Sequence, residues 1–134
     1  MKPIVACGTE KGESLFEDQF GKAPYFHIYE IDVRGIEFLD EIKNISPDNT
    51  EDREIEDETR AQNVSSLLKA KSVNVLLAHQ LEPKIAKISK NFVPIISHEL
   101  DIQAALSSIK DKLHLVEREW RKGKSRDYLI IGES

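Results

Sequence analysis

Three side chains that could bind a metal ion or cluster stand at the ends of three short apolar segments of the chain. Cys7 closes the first segment, and His79 and His98 each directly follow another. Thiolate and imidazole bind iron, copper and zinc well at neutral pH. In an open parallel sheet, ligands bind in the crevice beyond the carboxyl ends of the strands. If the three segments are parallel strands of one sheet, we expect Cys7, His79 and His98 to share one metal-binding rim.

Each of these residues also has a structural interpretation that needs no ligand. A free cysteine in an apolar strand is commonly a small core residue. A histidine at the end of a strand commonly caps a neighbouring helix or faces solvent. His27, which lies between Tyr25 and Tyr29, is interpreted as a packed or half-exposed sheet residue, and the aromatic side chains around it as core.

Common catalytic motifs are absent from the sequence. It contains no G-x-S-x-G elbow, G-x-x-x-x-G-K-[ST] phosphate loop, G-x-G-x-x-G turn or H-E-x-x-H helix. Cys7 with His79 could imitate a cysteine nucleophile and its base, but no orienting third group or oxyanion donor is evident. The single cysteine also excludes an internal disulfide and the C-x-x-C pairs of zinc ribbons and ferredoxin clusters. We therefore expect a binding protein that is not an enzyme.

Three strands are predicted in the first half of the chain. The segments Pro3 to Cys7, Tyr25 to Ile31 and Ile36 to Ile45 are rich in β-branched and aromatic residues. The second segment carries apolar side chains on both faces, which is typical of a strand that is central or covered on both sides. A turn around Gly35 makes the third strand antiparallel to the second.

The second half of the chain alternates helices with strands. Val73 to Ala78 and Phe92 to Ser97 are the strands, and Pro94 places the latter near a sheet edge because proline lacks a ladder donor. A helix precedes the first of these strands, a second helix begins at Pro83, and a third begins near Glu99. This alternation predicts parallel strands. The apolar positions of the first predicted helix are Ala61, Val64, Leu67 and Leu68. Those of the third are Ile102, Ala105, Leu106, Ile109 and Leu113.

Charge is unevenly distributed along the chain. From residue 46 to residue 60, seven acids stand against two arginines, so this stretch carries the chain's whole net charge of −5 and is predicted to be a solvated, mobile loop. No apolar run approaches the roughly 18 residues needed to cross a bilayer, so a cytoplasmic protein with no membrane partner is expected. A basic cluster near the C-terminus lacks any nucleic-acid-binding motif, which disfavours a nucleic-acid partner. It comprises Arg118, Arg121, Lys122, Lys124 and Arg126.

The chain contains a motif that runs Phe20-Gly21-Lys22-Ala23-Pro24-Tyr25-Phe26 and is followed by Ile28-Tyr29 and Asp32. This motif resembles one of the dinitrogenase iron-molybdenum cofactor family. That family includes NifX-like proteins and the C-terminal domain of NifB. In the motif, Gly21 permits a close backbone approach, Pro24 fixes the exit of the loop, and the two phenylalanines anchor it in the core. The resemblance continues through the loop His79-Gln80-Leu81 and the predicted third helix.

The resemblance implies a ribonuclease H-like three-layer α/β/α fold with a five-stranded mixed sheet. It implies binding or carriage of an iron-molybdenum cofactor precursor or related iron-sulfur cluster, without catalysis and with cluster-biosynthesis proteins as partners. Residues 1–113 would form this domain and residues 114–134 an extension, either an edge strand or a partner-binding tail. Two alternatives stay open: an interaction module that has lost the cluster, and a small nucleic-acid binder that uses the basic tail. The expected cofactor-binding residues are Thr9, Phe20, Gly21, His79 and Gln80, and the expected metal ligands are Cys7, His79 and His98.

Overall fold

A computed structural model of the chain describes residues 2–44, 62–81 and 91–132. These residues form six β-strands, three α-helices and two short 3-10 turns. None of the helices described is long and apolar enough to span a membrane. In chain order the elements are β1 (Ile4–Thr9), the first 3-10 turn (Phe20–Lys22), β2 (Tyr25–Asp32), β3 (Gly35–Lys43), α1 (residues 62–69), β4 (Val75–Ala78), β5 (Val93–Ser97), α2 (Ile102–Lys110), α3 (Leu113–Arg121), the second 3-10 turn (Gly123–Ser125) and β6 (Leu129–Ile131).

All six strands belong to one mixed sheet with the order β3-β2-β1-β4-β5-β6. β2 pairs antiparallel with both β1 and β3, whereas β1, β4, β5 and β6 are parallel neighbours. The α/β class, the antiparallel third strand and the parallel pairing of the second half are therefore confirmed. The expected count of five strands is wrong, because residues 129–131 add a sixth strand beside β5.

Each face of the sheet has its own apolar core. α2 and α3 cover one face, here called the α2 face, through residues such as Leu106. α1 covers the opposite face, here called the α1 face. β2 contributes to both cores, with Tyr29 and Ile31 on the α2 face and Phe26 and Ile28 on the α1 face. The prediction that this strand is covered on both sides is confirmed.

One predicted boundary of the strands is wrong. β1 does not end at Cys7, because Gly8 and Thr9 continue its pairing with β2. The predicted place of β5 near an edge of the sheet is confirmed, because only the three-residue strand β6 lies outside it. Pro94 is tolerated there because the pairing of β5 with β6 begins only at Ile95, so the missing N–H removes no bond to β6.

The helices that follow β5 also differ from the prediction. α2 begins at Ile102 and not near Glu99, because the Asp101 carboxylate caps it by accepting a hydrogen bond from the Ala104 N–H at 2.9 Å. The apolar run that reaches Leu113 is divided between α2 and α3, and Leu113 opens α3. The helix predicted from Pro83 and the acidic stretch 46–60 lie outside the described residues.

The C-terminal tail is anchored to the end of α3 by two side chains. The Glu119 carboxylate, which is 4% exposed, accepts hydrogen bonds from the Asp127 N–H at 2.7 Å and from the Lys122 ammonium at 3.0 Å. The Arg126 guanidinium donates to the Trp120 carbonyl at 2.8 and 3.0 Å and lies 3.9 Å from the Trp120 ring centroid, a cation–π contact. These contacts set the direction in which the chain enters β6.

Replacing Glu119 by glutamine is expected to lower the free energy of unfolding by about 1.5–3 kcal/mol at neutral pH, the usual worth of hydrogen bonds to a charged group. Burial opposes ionisation of this carboxyl, but the hydrogen bonds from Asp127 and Lys122 outweigh it and lower its pKa below the ordinary value. The carboxylate therefore stabilises the fold above its unfolded-state pKa, and that contribution is lost as pH falls through the folded-state pKa. Urea unfolding at a series of pH values measures the effect.

Glu117→Gln is the matched control, because Glu117 lies on the same helix and forms an exposed ion pair with Arg121. Such a pair contributes at most about 1 kcal/mol. Equal losses in the two variants, or a loss for Glu119→Gln that persists unchanged into acid, would contradict the anchoring role.

Candidate functional site

Three segments of the chain meet where β1, β4 and β5 end. They are residues 10–22, 79–81 and 98–101, and together they are called the carboxyl rim below. The Leu15 N–H donates to the Leu100 carbonyl at 2.7 Å, which ties the first segment to the third. The carboxyl rim lies beyond the carboxyl ends of parallel strands, where ligands bind in open α/β sheets.

The Phe20-Gly21 loop lies against the segment that follows β4. The Phe20 N–H donates to the Gln80 carbonyl at 3.1 Å, and the Gln80 side-chain amide donates to the Glu17 carbonyl, also at 3.1 Å. On the other side of the loop, the Asn44 amide donates to the Gly21 carbonyl at 2.8 Å. Phe20 and Gly21 are buried, whereas Gln80 is exposed. The structure therefore brings these three predicted binding residues together.

Thr9 is fully buried and shapes the loop that follows β1. Its hydroxyl donates to the Ser14 carbonyl at 2.7 Å and accepts from the Gly12 N–H at 2.8 Å. Gly12 has φ +89°, and a Cβ at this position would overlap Cε1 of His27. The predicted sheet position of His27 is confirmed: it is buried, and its Nε2 lies 2.8 Å from a carboxylate oxygen of Glu41. The loop is thus folded tightly over the His27 ring.

His79 stands half-buried in the carboxyl rim with a defined tautomer. Its Nδ1 lies 2.9 Å from the carbonyl oxygen of Ser97. A carbonyl oxygen only accepts hydrogen bonds, so Nδ1 carries a proton, and in the neutral ring Nε2 then carries the lone pair. Nε2 has no hydrogen-bond partner in the part of the chain that the structure describes. Metal-binding histidines typically use this arrangement, in which a backbone carbonyl orients the ring and the other nitrogen binds the metal.

Cys7 lies within β1 and not at its end, and its side chain belongs to the core of the α2 face. The side chain is fully buried, and this burial raises the pKa of the thiol. A thiol binds a metal as the thiolate, which burial in apolar surroundings disfavours. The structure thus places Cys7 in a packed environment.

His98 follows β5 directly, and its side chain is exposed. Its backbone N–H donates to the Ile131 carbonyl of β6 at 3.1 Å. Among the residues described, no group of three or more His, Cys, Asp or Glu side chains is placed to hold a metal ion. Cys7, His79 and His98 therefore do not form a closed three-ligand site.

A cleft of about 520 Å³ lies along the first segment of the carboxyl rim. Its charged lining is mainly acidic, and it comprises Glu10, Lys11, Glu13, Glu17 and Asp18. The acidic lining opposes the approach of a free anion.

The first turn of α2 uses two of its backbone N–H groups within the chain. The Ile102 N–H donates to the Glu13 carbonyl at 3.1 Å, and the Ala104 N–H donates to the Asp101 carboxylate at 2.9 Å. These two donors of the first turn of α2 are therefore satisfied within the chain.

Three members of the predicted basic cluster are held by contacts within the chain. Arg121 donates to Glu117 at 2.7 Å, Lys122 pairs with Glu119, and Arg126 is bound to Trp120. Such engagement reduces the positive charge available to a nucleic acid, and no observation on this surface favours the nucleic-acid alternative.

Three residues that build the site were not identified from the sequence. A glycine soon after a strand end could have marked Gly12, since glycine serves where the backbone has positive φ. Nothing local marks Asn44 or Ser97, because their partners lie 23 and 18 residues away in the chain.

Comparison with known proteins gives one result that bears on this site. A sequence model of the family described as "Dinitrogenase iron-molybdenum cofactor" matches residues 1–112. The matched part contains the Phe20-Gly21 loop, His79 and the rest of the carboxyl rim, and it ends just before α3. No curated protein matches the chain.

Proposed function

Because the chain belongs to the dinitrogenase iron-molybdenum cofactor family, we propose that it binds and carries an iron-molybdenum cofactor precursor or a related iron-sulfur cluster. The cluster is cargo that the protein holds and releases, so no catalytic step is assigned to the chain. The observation that carries this proposal is His79, a half-buried rim histidine whose Nδ1 is fixed by the Ser97 carbonyl. Its Nε2 is left as the coordinating atom.

The other rim residues have distinct roles in this proposal. Gln80 is exposed beside His79 and lines the approach to the cluster. Phe20, Gly21 and Thr9 are buried, and they shape the rim without offering a side-chain ligand. Coordination at His79, and not charge attraction, provides the affinity, because the neighbouring cleft is acidic.

Of the other two predicted metal ligands, His98 fits the proposal better than Cys7. The exposed imidazole of His98 follows the neighbouring strand and is a second ligand candidate. Cys7 is left out of the proposed set because its thiol is fully buried and its pKa is raised. An open site with one or two protein ligands suits a carrier, since the cluster must leave again.

The same family membership supports proposals about the fold and the partners. The strand order β3-β2-β1-β4-β5, with antiparallel pairing only on the β2 side of β1, supports a ribonuclease H-like relationship for the matched part. The partners would be proteins that supply or receive the cluster.

The experiment that tests the proposal is anaerobic reconstitution with iron and sulfide, followed by visible absorption and metal analysis. Wild type is expected to bind a cluster, and His79→Ala is expected to lose at least about tenfold in affinity, since each 1.4 kcal/mol of lost coordination is a factor of ten. The matched control is His114→Ala, which removes an exposed histidine on α3 outside the carboxyl rim.

Three outcomes are informative. Uptake that is lost in His79→Ala and kept in His114→Ala supports the assigned ligand. Equal uptake by wild type and His79→Ala refutes His79 as the ligand. Negligible uptake by wild type refutes the carrier function and favours an interaction module that has lost its cluster.

A further inference from the structure

One peptide group connects His79 to the C-terminal strand. The Ser97 carbonyl accepts the hydrogen bond from His79 Nδ1 at 2.9 Å, and the N–H of the same peptide, on His98, donates to the Ile131 carbonyl of β6 at 3.1 Å. A peptide group is planar, and in the trans form its C=O and N–H point in opposite directions. The bond from β6 on one side therefore fixes the direction of the carbonyl that orients His79 on the other.

β6 also contacts the rim through Gly132, the residue that follows it. Gly132 has φ +74°, and a Cβ at this position would lie only 2.8 Å from the Glu99 backbone nitrogen. Ile131 is itself buried in the core of the α2 face. The exit of β6 is thus packed closely against residues 98–99 of the carboxyl rim.

The segment that makes these contacts lies beyond the part matched by the family, which ends at residue 112. The buried Glu119 carboxylate and the stack of Arg126 on Trp120 hold its entry. Both ends of β6 are therefore fixed, one by α3 and the other by the rim.

We propose that β6 is a positioning element for the cluster site, which acts through the Ser97–His98 peptide to keep His79 in the tautomer that leaves Nε2 free for the metal. The proposal rests on the function proposed for His79. Two hydrogen bonds that share one peptide polarise each other, so loss of the β6 bond weakens the bond to His79 as well as releasing the peptide. Residues 114–134 are thereby an addition to the preceding domain that sets the orientation of the His79 ring.

The closing experiment compares two glycine-to-alanine variants. Gly132→Ala places a methyl group against the Glu99 nitrogen, whereas Gly123→Ala introduces alanine at a similar positive φ, +60°, with nothing within 4 Å. The two changes therefore carry comparable backbone strain, but only Gly132→Ala pushes β6 away from the rim. Nitrogen-15 NMR of the His79 ring in the metal-free protein reports the tautomer without requiring any cluster.

We expect wild type and Gly123→Ala to show the Nδ1–H tautomer, and Gly132→Ala to show a mixture with the Nε2–H form. Iron and sulfide reconstitution should show a cluster affinity about ten- to a hundredfold lower for Gly132→Ala only, the usual effect of removing a partner that orients a metal ligand. A truncation after Asp127, which removes β6, should act in the same direction. If Gly132→Ala does not fold, the truncated protein is used in its place for both measurements.

The outcomes separate this proposal from the one on which it rests. If the tautomer of His79 is the same in wild type and in every folded variant that displaces or removes β6, the positioning role is refuted, even where wild type binds a cluster. If the tautomer changes as expected but wild type binds no cluster, the coupling is correct and the carrier function is refuted.

Discussion

Replacing Phe20 by alanine is expected to lower the free energy of unfolding by about 3–5 kcal/mol, the usual cost of deleting a buried phenylalanine. Phe20 is 1% exposed, and its ring centroid lies 4.9 Å from that of Phe26 in the core of the α1 face. Its backbone N–H also bonds Gln80 across the rim. Removal of the ring leaves a cavity at the point where the family motif is attached to the sheet.

Chemical unfolding monitored by circular dichroism measures this loss. The matched control is Phe38→Ala, because Phe38 is 51% exposed on edge strand β3 and leaves no enclosed cavity. We expect that control to cost clearly less than Phe20→Ala, because about half of the Phe38 side chain is already in water and only part of its ring packs against His27 and Tyr29. A loss for Phe20→Ala no larger than that for Phe38→Ala would show that the motif phenylalanine does not anchor the loop.

The second large effect is expected at Gly12, where alanine should lower the free energy of unfolding by about 2–5 kcal/mol. Two costs combine: a side chain at positive φ costs roughly 1–2 kcal/mol, and overpacking costs about 1–3 kcal/mol. The φ of Gly12 is +89°, and the added methyl group would overlap the His27 ring. Loss of this turn would also disturb the hydrogen bonds of Thr9 that order the first segment of the rim.

A double-mutant cycle with His27→Ala separates the two costs. In the His27→Ala background the clash is absent, so Gly12→Ala should cost only the backbone strain. Gly35→Ala is the control for glycine replacement in general, because Gly35 has ordinary φ and nothing within 4 Å. Strictly additive losses in the cycle would contradict the close approach of Gly12 to His27.

At these two positions, the shape of the carboxyl rim depends on packing against the core and on backbone conformation. Phe20 fixes the loop to the core below it, and Gly12 allows the preceding turn to close over His27. The backbone hydrogen bonds between Leu15 and Leu100 and between Phe20 and Gln80 then join the segments. A cluster would thus meet a rim that is already assembled, which reduces the ordering cost of binding.

Much of the architecture could be predicted from the sequence. Apolar periodicity predicted β1, β2, β4 and β5, and the alternation of helices and strands in the second half of the chain predicted the parallel pairing of β4 and β5. The Phe20 to Phe26 motif predicted the family, and strand ends predicted where His79 and His98 would lie. From the sequence, residues 129–131 could be either an edge strand or a partner-binding segment, because a run of only three apolar residues fits both.

The difference between the candidate ligands became visible only in the folded chain. Cys7 is buried on the face covered by α2 and α3, whereas the His79 ring contacts a carbonyl 18 residues further along the chain. Strand register sets that bond, and a shift of one residue would place another group opposite the imidazole. Local sequence patterns indicate which residues are buried, but they do not give the register between strands that are distant in the chain. The tautomer of His79 and its link to β6 could therefore not be predicted from the sequence.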